Sequence, residues 1–264
     1  MIPRILHFVW LSAGETPTED MLLGVKTALW NTTYDIWIHS NRLFPVPQDS
    51  RVKFLLHDFN LDIKGIPFKN ETVKYDGKEG KRIAHISDIY RLAILHKYGG
   101  IYSDFDVLWF RNAWEFHDKK VVIGYTQKNY KILCNAVMMS EAGHPALIEY
   151  LVWLTQLYPC NKYWIPANPY KRWIDSEGVT MIDTKYFYPV KWKDGSEVSI
   201  AKVSGSICFH EFGSNRERRG ELYDYLRVLE ASWPVQVGNP EVVVSGEYSY
   251  GSLIHPHKEQ SESL

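Results

Sequence analysis

Cysteine is scarce in this sequence, and its three cysteines are widely separated. Cys134, Cys160 and Cys208 form no Cys-x-x-Cys pair among the 264 residues. An odd and widely spaced set argues against the disulfide framework of small secreted domains and offers no zinc or redox motif. We therefore expect a protein of a reducing compartment.

Neither sign of charge is in excess, and long apolar runs are missing. The sequence has 30 Lys and Arg residues against 31 Asp and Glu residues, so its formal net charge is −1. That balance gives no electrostatic reason to expect a nucleic-acid partner. No apolar stretch is long enough to span a bilayer, and residues 1–11 are interrupted too soon to form a secretory signal. The expectation is a cytoplasmic protein with no nucleic-acid partner and no membrane span.

A phosphate-binding loop of the Gly-x-x-x-x-Gly-Lys-Ser/Thr type is also absent. The nearest run, DGKEGK at residues 76–81, has the wrong glycine spacing and no Ser or Thr after its lysines. We interpret it as a turn, which argues against a nucleoside-triphosphate enzyme of the phosphate-loop class.

Apolar residues are plentiful, and their pattern predicts an α/β protein. They make up 45% of the sequence, enough for one sizeable core. Strand-like and helix-like segments alternate in the first half, which is typical of a sheet with short connections. The predicted strands are residues 5–11, 34–39, 52–57, 101–110, 121–126, 132–140, 180–182 and 208–209, and the predicted helices are 21–30, 81–98, 144–158 and 216–233.

Three stretches have a different composition. Residues 60–80 are polar and are expected to form a loop, and residues 160–175 are rich in Trp, Tyr and Pro. From residue 234 onward Gly, Ser and Pro accumulate. We therefore expect one domain over residues 1–233, with a helical and aromatic insertion, and an extension over 234–264 whose end is frayed.

Two carboxylates lie within the predicted strand 101–110. Side chains alternate along a strand, so Asp104 and Asp106 are expected on one face, with Tyr102 beside them. At a separation of about 6–7 Å they repel by roughly 2–3 kcal/mol. A hard divalent cation would turn this repulsion into a binding site. On its own, however, the Asp-x-Asp pair fits a solvated strand end at least as well.

The preceding helix brings two more charged residues towards this strand. Asp88 and Arg91 are three residues apart, hence neighbours on one helix face. By itself such a pair is typical of a weak surface ion pair. The rest of the helix is strongly apolar, and Gly99-Gly100 ends it directly before the acidic strand. This connection could place both residues beside Asp104 and Asp106, where an arginine binds phosphate or tunes a carboxylate.

The segment SDIYRLAILHKYGGIYSDFDV, residues 87–107, resembles the signature of DXD-containing sugar transferases with a GT-A fold. It is similar to the fungal initiating mannosyltransferases and capsular polysaccharide sugar transferases of glycosyltransferase family 32, and to the catalytic domain of large glucosylating toxins. Weaker resemblances lie in IPRILHFVWLSAG at 2–14, NAVMMSEAGHP at 135–145 and FHEFGSN at 209–215. In the last block Asn215 stands where the family commonly has Trp. The resemblance covers roughly residues 1–215 and implies a Rossmann-like mixed sheet flanked by helices.

The resemblance implies roles for the charged residues. Asp106 is expected to bind Mn²⁺ or Mg²⁺, and Asp104 to contact the donor or the metal. Asp88 is expected on the donor-sugar hydroxyls and Arg91 near the sugar or diphosphate, so that Asp104, Asp88 and Arg91 are the catalytic set. His210 is either a third metal ligand or diphosphate contact, or a packed residue.

The remaining implied positions bind the donor. Trp10 either stacks on the nucleobase or packs in the core, and Tyr102 packs under the nucleotide. The full donor-binding set implied by the resemblance is His7, Val9, Trp10, Asp88, Arg91, Tyr102, Ser103, Asp104, Asn135, Ser214 and Asn215.

The activity implied by the resemblance is metal-dependent transfer of a sugar from a nucleotide sugar, with retention of anomeric configuration. A UDP-sugar is favoured over a GDP-sugar, and the acceptor is expected to be a glycan, as in polysaccharide biosynthesis. No protein nucleophile is assigned. Two alternatives remain: a non-catalytic module that binds nucleotide sugars or carbohydrate, and another metal-dependent phosphate enzyme such as a nucleotidyltransferase or phosphohydrolase.

Overall fold

The computed structural model describes residues 1–12, 14–59, 72–75, 78–127, 129, 131–157, 169, 173–190, 198–211 and 220–248. The strands are β1 (Ile5–Trp10), β2 (Asp35–Ser40), β3 (Val46–Pro47), β4 (Val52–Phe59), β5 (Thr72–Tyr75), β6 (Lys78–Lys81), β7 (Gly100–Ser103), β8 (Val107–Trp109), β9 (Val121–Gln127), β10 (Ile132–Ser140), β11 (Val179–Ile182), β12 (Cys208–His210), β13 (Val237–Gly238) and β14 (Val242–Tyr248). The helices are α1 (Glu19–Asn31), α2 (Arg82–Tyr98), α3 (Pro145–Leu157), α4 (Thr184–Phe187), α5 (Ile200–Val203) and α6 (Gly220–Ser232), with a 3₁₀ turn at Trp114–Phe116.

Within the described residues, eight strands form one mixed sheet in the order β11-β9-β10-β7-β1-β2-β4-β14. Parallel pairing runs through five consecutive strands of this sheet, β7-β1-β2-β4-β14. Strand β10 instead runs antiparallel to both of its neighbours, β7 and β9. Helices flank the sheet, so the predicted α/β architecture is confirmed. Parallel strands place their carboxyl ends along one edge, where ligands bind in such sheets.

Each face of the sheet carries its own apolar core. On one face α1 packs Leu22 and Val25 against residues such as Phe8. On the other face α2 and α3 pack residues such as Leu92 and Leu147. The central strand β1 is consequently buried on both sides over its four inner residues.

The helix boundaries follow local signals in the sequence. The Thr18 hydroxyl accepts a hydrogen bond from the Met21 amide, and acidic residues occupy the first turn of α1. Helix α2 ends at Gly99, whose φ of +65° favours glycine and whose amide donates to the Leu95 carbonyl. The chain then enters β7 through Gly100, with a φ of +95°.

The expectation of one continuous strand over residues 101–110 is wrong. Strand β7 ends at Ser103, and the Val107 amide donates to the Asp104 carbonyl to close a turn. Strand β8 then leaves the main sheet and pairs antiparallel with β12. Apolar and aromatic side chains continue through the turn, so alternation alone could not reveal the break.

Two polar stretches also contain strands. Strands β5 and β6 pair antiparallel within residues 60–80, which were expected to form a loop. Lysine and glycine residues weakened the strand pattern there. Within the expected extension 234–264, β13 pairs with β3, and β14 joins the main sheet beside β4. Residues 249–264 lie outside the described residues, as does most of the aromatic stretch 160–175.

No helix among the described residues is sufficiently long and apolar to cross a membrane.

Candidate active site

The two acids lie in a turn at the carboxyl end of β7, held by three neighbouring elements. The Asp104 amide donates to the Ala136 carbonyl of β10 over 2.8 Å. The Glu211 amide, directly after β12, donates to the Asp106 carbonyl over 2.9 Å. Helix α1 approaches so closely at Gly24 that an added Cβ would lie 2.4 Å from the Phe105 carbonyl oxygen. The positions of the two carboxylates are therefore set by the hydrogen bonds and packing of a turn. They do not follow from the alternation of side chains along a strand.

Asp104, Asp106 and His210 form a group that could hold a metal ion. One ligand atom from each lies within 4.8 Å of the others. His210 Nε2 is 3.2 Å from Asp106 Oδ1, and the Asp106 side chain is 22% exposed. His210 is placed there because β12 pairs with β8 in a register that sets it opposite Val107.

The electrostatics of this group favour a cation. Burial alone would lower the pKa of His210, but the Asp106 carboxylate raises it well above its ordinary value. Burial raises the pKa of Asp104; Arg91 opposes that shift, and Asp106 adds to it. Two carboxylates this close together repel each other, and a divalent cation would relieve that repulsion. Carboxylate oxygens and an imidazole nitrogen are suitable ligands for Mn²⁺, so the residues fit the implied metal.

Arg91 joins α2 to the acidic turn. Its Nη2 lies 3.1 Å from Asp88 Oδ1 and 3.3 Å from Asp104 Oδ1, and its Nη1 donates to the Asn135 carbonyl over 2.7 Å. The guanidinium lies 4.5 Å from the centroid of the Tyr102 ring, within cation–π range. Asp88 and Arg91 of the helix therefore lie close to Asp104, as the sequence predicted. Asp88 and Arg91 are buried, and Asp104 is partly buried.

Asp88 is buried behind Arg91. Asn135 Nδ2 donates to Asp88 Oδ1 over 2.7 Å, so this predicted donor-binding side chain holds the Asp88 carboxylate in place. Burial raises the pKa of Asp88 to about 6, against the opposing effects of Arg91 and Asn135. The contacts from Arg91 and Asn135 both fall on Oδ1.

Tyr102 and Ser103 support the turn from below. The Tyr102 hydroxyl donates to Asp104 Oδ1 over 2.5 Å from a buried position. The Ser103 hydroxyl donates to the Asp104 carbonyl and accepts from Trp109 Nε1, both over 3.1 Å. These contacts place both residues beneath Asp104, where they orient it.

Trp10 ends β1 next to the acidic turn. Its ring meets the Phe105 ring edge-on with centroids 5.4 Å apart, and its Nε1 donates to the Glu15 carbonyl. The side chain is partly exposed. It therefore lies where a stacking residue was expected, although it also contacts the core.

His7 and Val9 are buried within β1, and Val9 packs in the core that α2 and α3 cover. Val9 is 6% exposed, and His7 is fully buried in a row of three histidines. His7 Nε2 lies 2.9 Å from the Gly99 carbonyl, His7 Nδ1 lies 3.0 Å from His39 Nε2, and His39 Nδ1 lies 2.8 Å from His57 Nε2. Phe8 pairs with Ser103 directly before the acidic turn, so the next residue, Val9, lies beside that turn, whereas the buried His7 side chain contacts Gly99 and His39. Ser214 and Asn215 lie outside the described residues.

Two residues near the site, Tyr188 and Gly24, could not be identified from any pattern in the sequence. The Tyr188 hydroxyl accepts from the Val137 amide over 3.0 Å and donates to the Cys134 carbonyl over 3.1 Å. It thereby holds the irregular part of β10 that contains Asn135. Gly24, which lets α1 touch the turn, is an ordinary helix residue in the sequence.

Comparison with a family model supports this interpretation of the site. Residues 27–128 match the family described as a glycosyltransferase sugar-binding region containing a DXD motif. The match covers less than half of the 264 residues but contains Asp88, Arg91, Asp104 and Asp106. No curated protein matches the chain.

Solved glycosyltransferases share the fold. An active-site mutant of LgtC superposes with a TM-score of 0.50 at 13% identity, covering 90% of this chain and 98% of that one. The PaToxG glycosyltransferase gives a TM-score of 0.46 at 18% identity over 64% of this chain, which spans 65% of its length. A glycosyltransferase involved in glycosylation of the major capsid of PBCV-1 gives 0.47 at 12% identity, with 85% and 100% covered.

The GT-A-like fold and the resemblance to DXD-containing transferases are therefore confirmed. The matched region contains the DXD motif itself, formed here by Asp104 and Asp106.

Proposed function

We propose that the chain is a metal-dependent, retaining glycosyltransferase that moves a sugar from a nucleotide sugar to a hydroxyl of a glycan. A UDP-sugar is the favoured donor, with a GDP-sugar as the alternative. The observation that carries the proposal is that Arg91 connects the sugar-side carboxylate Asp88 to Asp104, which is itself part of the group Asp104, Asp106 and His210. Retention and the donor base rest on the family resemblance alone.

The proposed metal site uses Asp106, Asp104 and His210, and the favoured cation is Mn²⁺, with Mg²⁺ as the alternative. A bound divalent cation would supply the charge that stabilises a departing nucleoside diphosphate. Burial raises the pKa of Asp104, and Arg91 opposes that rise and so favours the anionic form. Tyr102 orients Asp104 by its hydrogen bond, which leaves less freedom to lose when the site is filled.

The proposed donor contacts lie around the same turn. Asp88, fixed by Arg91 and Asn135, would accept hydrogen bonds from donor-sugar hydroxyls. Trp10, partly exposed beside Phe105, would stack on the nucleobase. Ser214 and Asn215 remain proposed contacts to the diphosphate, and His7, Val9 and Ser103 would act by supporting the strands that carry the site.

The first test is a thermal-shift panel of nucleotide sugars with and without Mn²⁺. A ligand that binds the native state raises the melting temperature as its concentration exceeds its dissociation constant. We expect one nucleotide sugar to raise it only when Mn²⁺ is present. An equal shift in excess chelator would contradict the metal role, and the anomer of the product, followed by NMR, tests retention.

The substitution Asp106→Asn is the sharpest test of the site. It removes a negative charge but preserves size, so we expect the fold to survive while donor hydrolysis and transfer fall at least about 100-fold. The matched control is Asp118→Asn, because the Asp118 side chain is 70% exposed and pairs with Lys119 away from the turn. Full transfer by Asp106→Asn would overturn the proposal.

The rival functions predict different products from the same assay. Donor binding by calorimetry with neither hydrolysis nor transfer to any glycan would favour the binding module. Phosphate release from simple nucleotides without sugar transfer would favour another phosphate enzyme.

A further inference from the structure

Strand β10 contains a bulge at residues 135–137, which we call the β10 bulge. On one side of it Cys134 pairs with Gly124 of β9, and on the other side Met138 pairs with Ile123. Because Gly124 and Ile123 are consecutive, the three residues of the bulge have no counterpart on β9. A bulge takes backbone groups out of the regular ladder and redirects them, and bulges are frequent beside active sites.

Two residues of the β10 bulge hold three residues of the candidate active site. The Asn135 carbonyl accepts from Arg91 Nη1, and Asn135 Nδ2 donates to Asp88 Oδ1, both over 2.7 Å. The Ala136 carbonyl accepts from the Asp104 amide over 2.8 Å. All three bonds come from two consecutive residues of one backbone segment. A shift of the bulge would therefore move all three site residues together.

The Tyr188 hydroxyl joins the two ends of the bulge. It accepts from the Val137 amide over 3.0 Å and donates to the Cys134 carbonyl over 3.1 Å. A buried amide and carbonyl that leave a strand ladder need other partners, and a single hydroxyl can serve both. Tyr188 is 2% exposed, so its side chain is shielded from the water that could replace the hydroxyl.

The Tyr188 ring is packed on two sides. An added Cβ at Gly124 would lie 2.9 Å from Tyr188 Cε2 and 3.0 Å from Phe187 Cδ2, so the missing side chain of Gly124 lets the ring approach β9. The ring also meets the His210 ring edge-on, with centroids 6.0 Å apart. This packing fixes where the hydroxyl lies relative to the bulge.

We propose that Tyr188 is a positioning residue of the site: its hydroxyl fixes the β10 bulge, and the bulge sets the places of Asp88, Arg91 and Asp104. The consequence for sugar transfer rests on the proposed function, which makes Asp88 and Arg91 donor contacts. The other two proposed metal ligands are placed by β8 and its partner β12. Loss of the hydroxyl should therefore affect turnover more than metal affinity.

The first test is Tyr188→Phe, which removes the hydroxyl and keeps the ring. Amide hydrogen exchange is followed by NMR on the full chain without donor or metal. We expect exchange of the Val137 and Asp104 amides to rise at least about tenfold, because a buried hydrogen bond is lost. Unchanged exchange at both amides, or a uniform rise over the whole chain, would overturn the inference.

Tyr34→Phe is the matched control for the exchange test. The Tyr34 hydroxyl is also buried and accepts from a backbone amide, that of Ala113, over 2.6 Å. Tyr34 directly precedes β2, at the edge of the sheet opposite the acidic turn. We expect this variant to raise exchange at Ala113 and to leave Asp104 unchanged.

The second test measures turnover. Mn²⁺-dependent hydrolysis of UDP-glucose, UDP-galactose, UDP-N-acetylglucosamine and GDP-mannose first identifies a donor that the unaltered chain uses. With that donor we expect Tyr188→Phe to lower kcat at least about tenfold, with the Mn²⁺ affinity, measured by calorimetry, changed less than about threefold. Tyr34→Phe should leave both quantities unchanged. An undiminished kcat in Tyr188→Phe, or an equal loss of Mn²⁺ affinity, would contradict the positioning role.

Gly124→Ala reaches the same hydroxyl by a different route. Its added Cβ would displace the Tyr188 ring, so we expect the same rise in exchange and the same fall in kcat as in Tyr188→Phe. The double variant should lose less than about twofold beyond Gly124→Ala, because both changes act through one group. Gly238→Ala is the control, since Gly238 also lies in a strand and an added Cβ there meets nothing closer than 3.5 Å. Additive losses in the double variant would overturn the shared route.

The two proposals can fail separately. If the unaltered chain hydrolyses none of the four nucleotide sugars, the proposed function is contradicted, and amide exchange still decides whether Tyr188 fixes the bulge. Turnover that survives Tyr188→Phe would contradict the positioning role alone.

Discussion

At the scale of single residues, Arg91 holds the charge balance of the site. Its side chain is only 7% exposed, yet it lies within 3.3 Å of two carboxylates. Buried charges are tolerated when they are paired, and the loss of one partner leaves the others uncompensated. Arg91 is therefore a structural residue as well as a proposed donor contact.

We expect Arg91→Met to destabilise the fold by about 3 kcal/mol, the lower end of the range for a broken buried pair. The reason for the lower end is Asp88, whose pKa of about 6 would rise further without Arg91, so that it becomes neutral near pH 7. Urea unfolding monitored by circular dichroism measures the change. The control is Arg111→Met, because the Arg111–Glu115 pair is 39% and 36% exposed. Such pairs contribute about 0–1 kcal/mol, and an equal loss in both variants would contradict the central role of Arg91.

These residues also show how far the sequence could predict the site. Asp88, Arg91 and Asp104 were predictable because helix spacing and the Gly99-Gly100 break are local signals. Tyr188, which holds the part of β10 that contains Asn135, was not, because it reaches β10 from a segment about 50 residues away and no local pattern marks it. The donor-binding roles of His7 and Val9 were implied by the family resemblance alone, and they stay predictions for two buried side chains.

At the scale of elements, the acidic turn is set by the packing of α1 against it. Gly24 allows the helix backbone to approach the turn, where an added Cβ would meet the Phe105 oxygen at 2.4 Å and the Val107 oxygen at 2.9 Å. In an exposed helix, replacing glycine with alanine would gain about 1 kcal/mol from helix propensity. Here the steric conflict involves backbone atoms and should dominate.

We expect Gly24→Ala to destabilise the protein by about 1–3 kcal/mol, as overpacking does, and to shift the Asp104–Asp106 turn. Mn²⁺ affinity, measured by calorimetry, should fall at least tenfold although no ligand is altered. Gly14→Ala is the control, because an added Cβ there meets nothing within 4 Å. Unchanged Mn²⁺ affinity in Gly24→Ala would show that the turn does not depend on α1.

Elements with a clear period were predictable, and those defined by distant partners were not. The ends of α2 and β10 agree with the sequence pattern to within one residue. The break between β7 and β8 was missed because β12, about 100 residues later, provides the partner that draws β8 out of the sheet. Strand β14 was missed because its apolar residues lie in a stretch rich in glycine and serine.

At the scale of the whole molecule, three neutral histidines cross the sheet from β1 to β4. The Gly99 carbonyl can only accept, so His7 Nε2 must donate to it, and His7 Nδ1 must then accept from His39 Nε2. By the same logic His39 Nδ1 accepts from His57 Nε2. A second proton on His7 or His39 would set two N–H groups against each other. Burial lowers the pKa of His7 to about 3 and of His57 to about 4, and that of His39 well below its usual value.

We expect this row to make the fold sensitive to acid. Below the ordinary histidine pKa of 6.5 the unfolded chain binds up to three protons that the native row does not, so stability falls as pH falls. Asp88, Asp104 and His210 oppose this, because their native pKa values are raised, that of Asp88 to about 6 from 3.8. At about 1.4 kcal/mol per proton and pH unit, the net loss between pH 7 and pH 5 is roughly 2–4 kcal/mol.

Urea unfolding at each pH, in excess chelator, measures the loss between pH 7 and pH 5. His39→Gln keeps a donor and an acceptor in the row but does not titrate, so its stability should depend on pH at most about half as strongly. A free energy of unfolding that stays constant from pH 7 to pH 5 would show that the row is protonated in the native state.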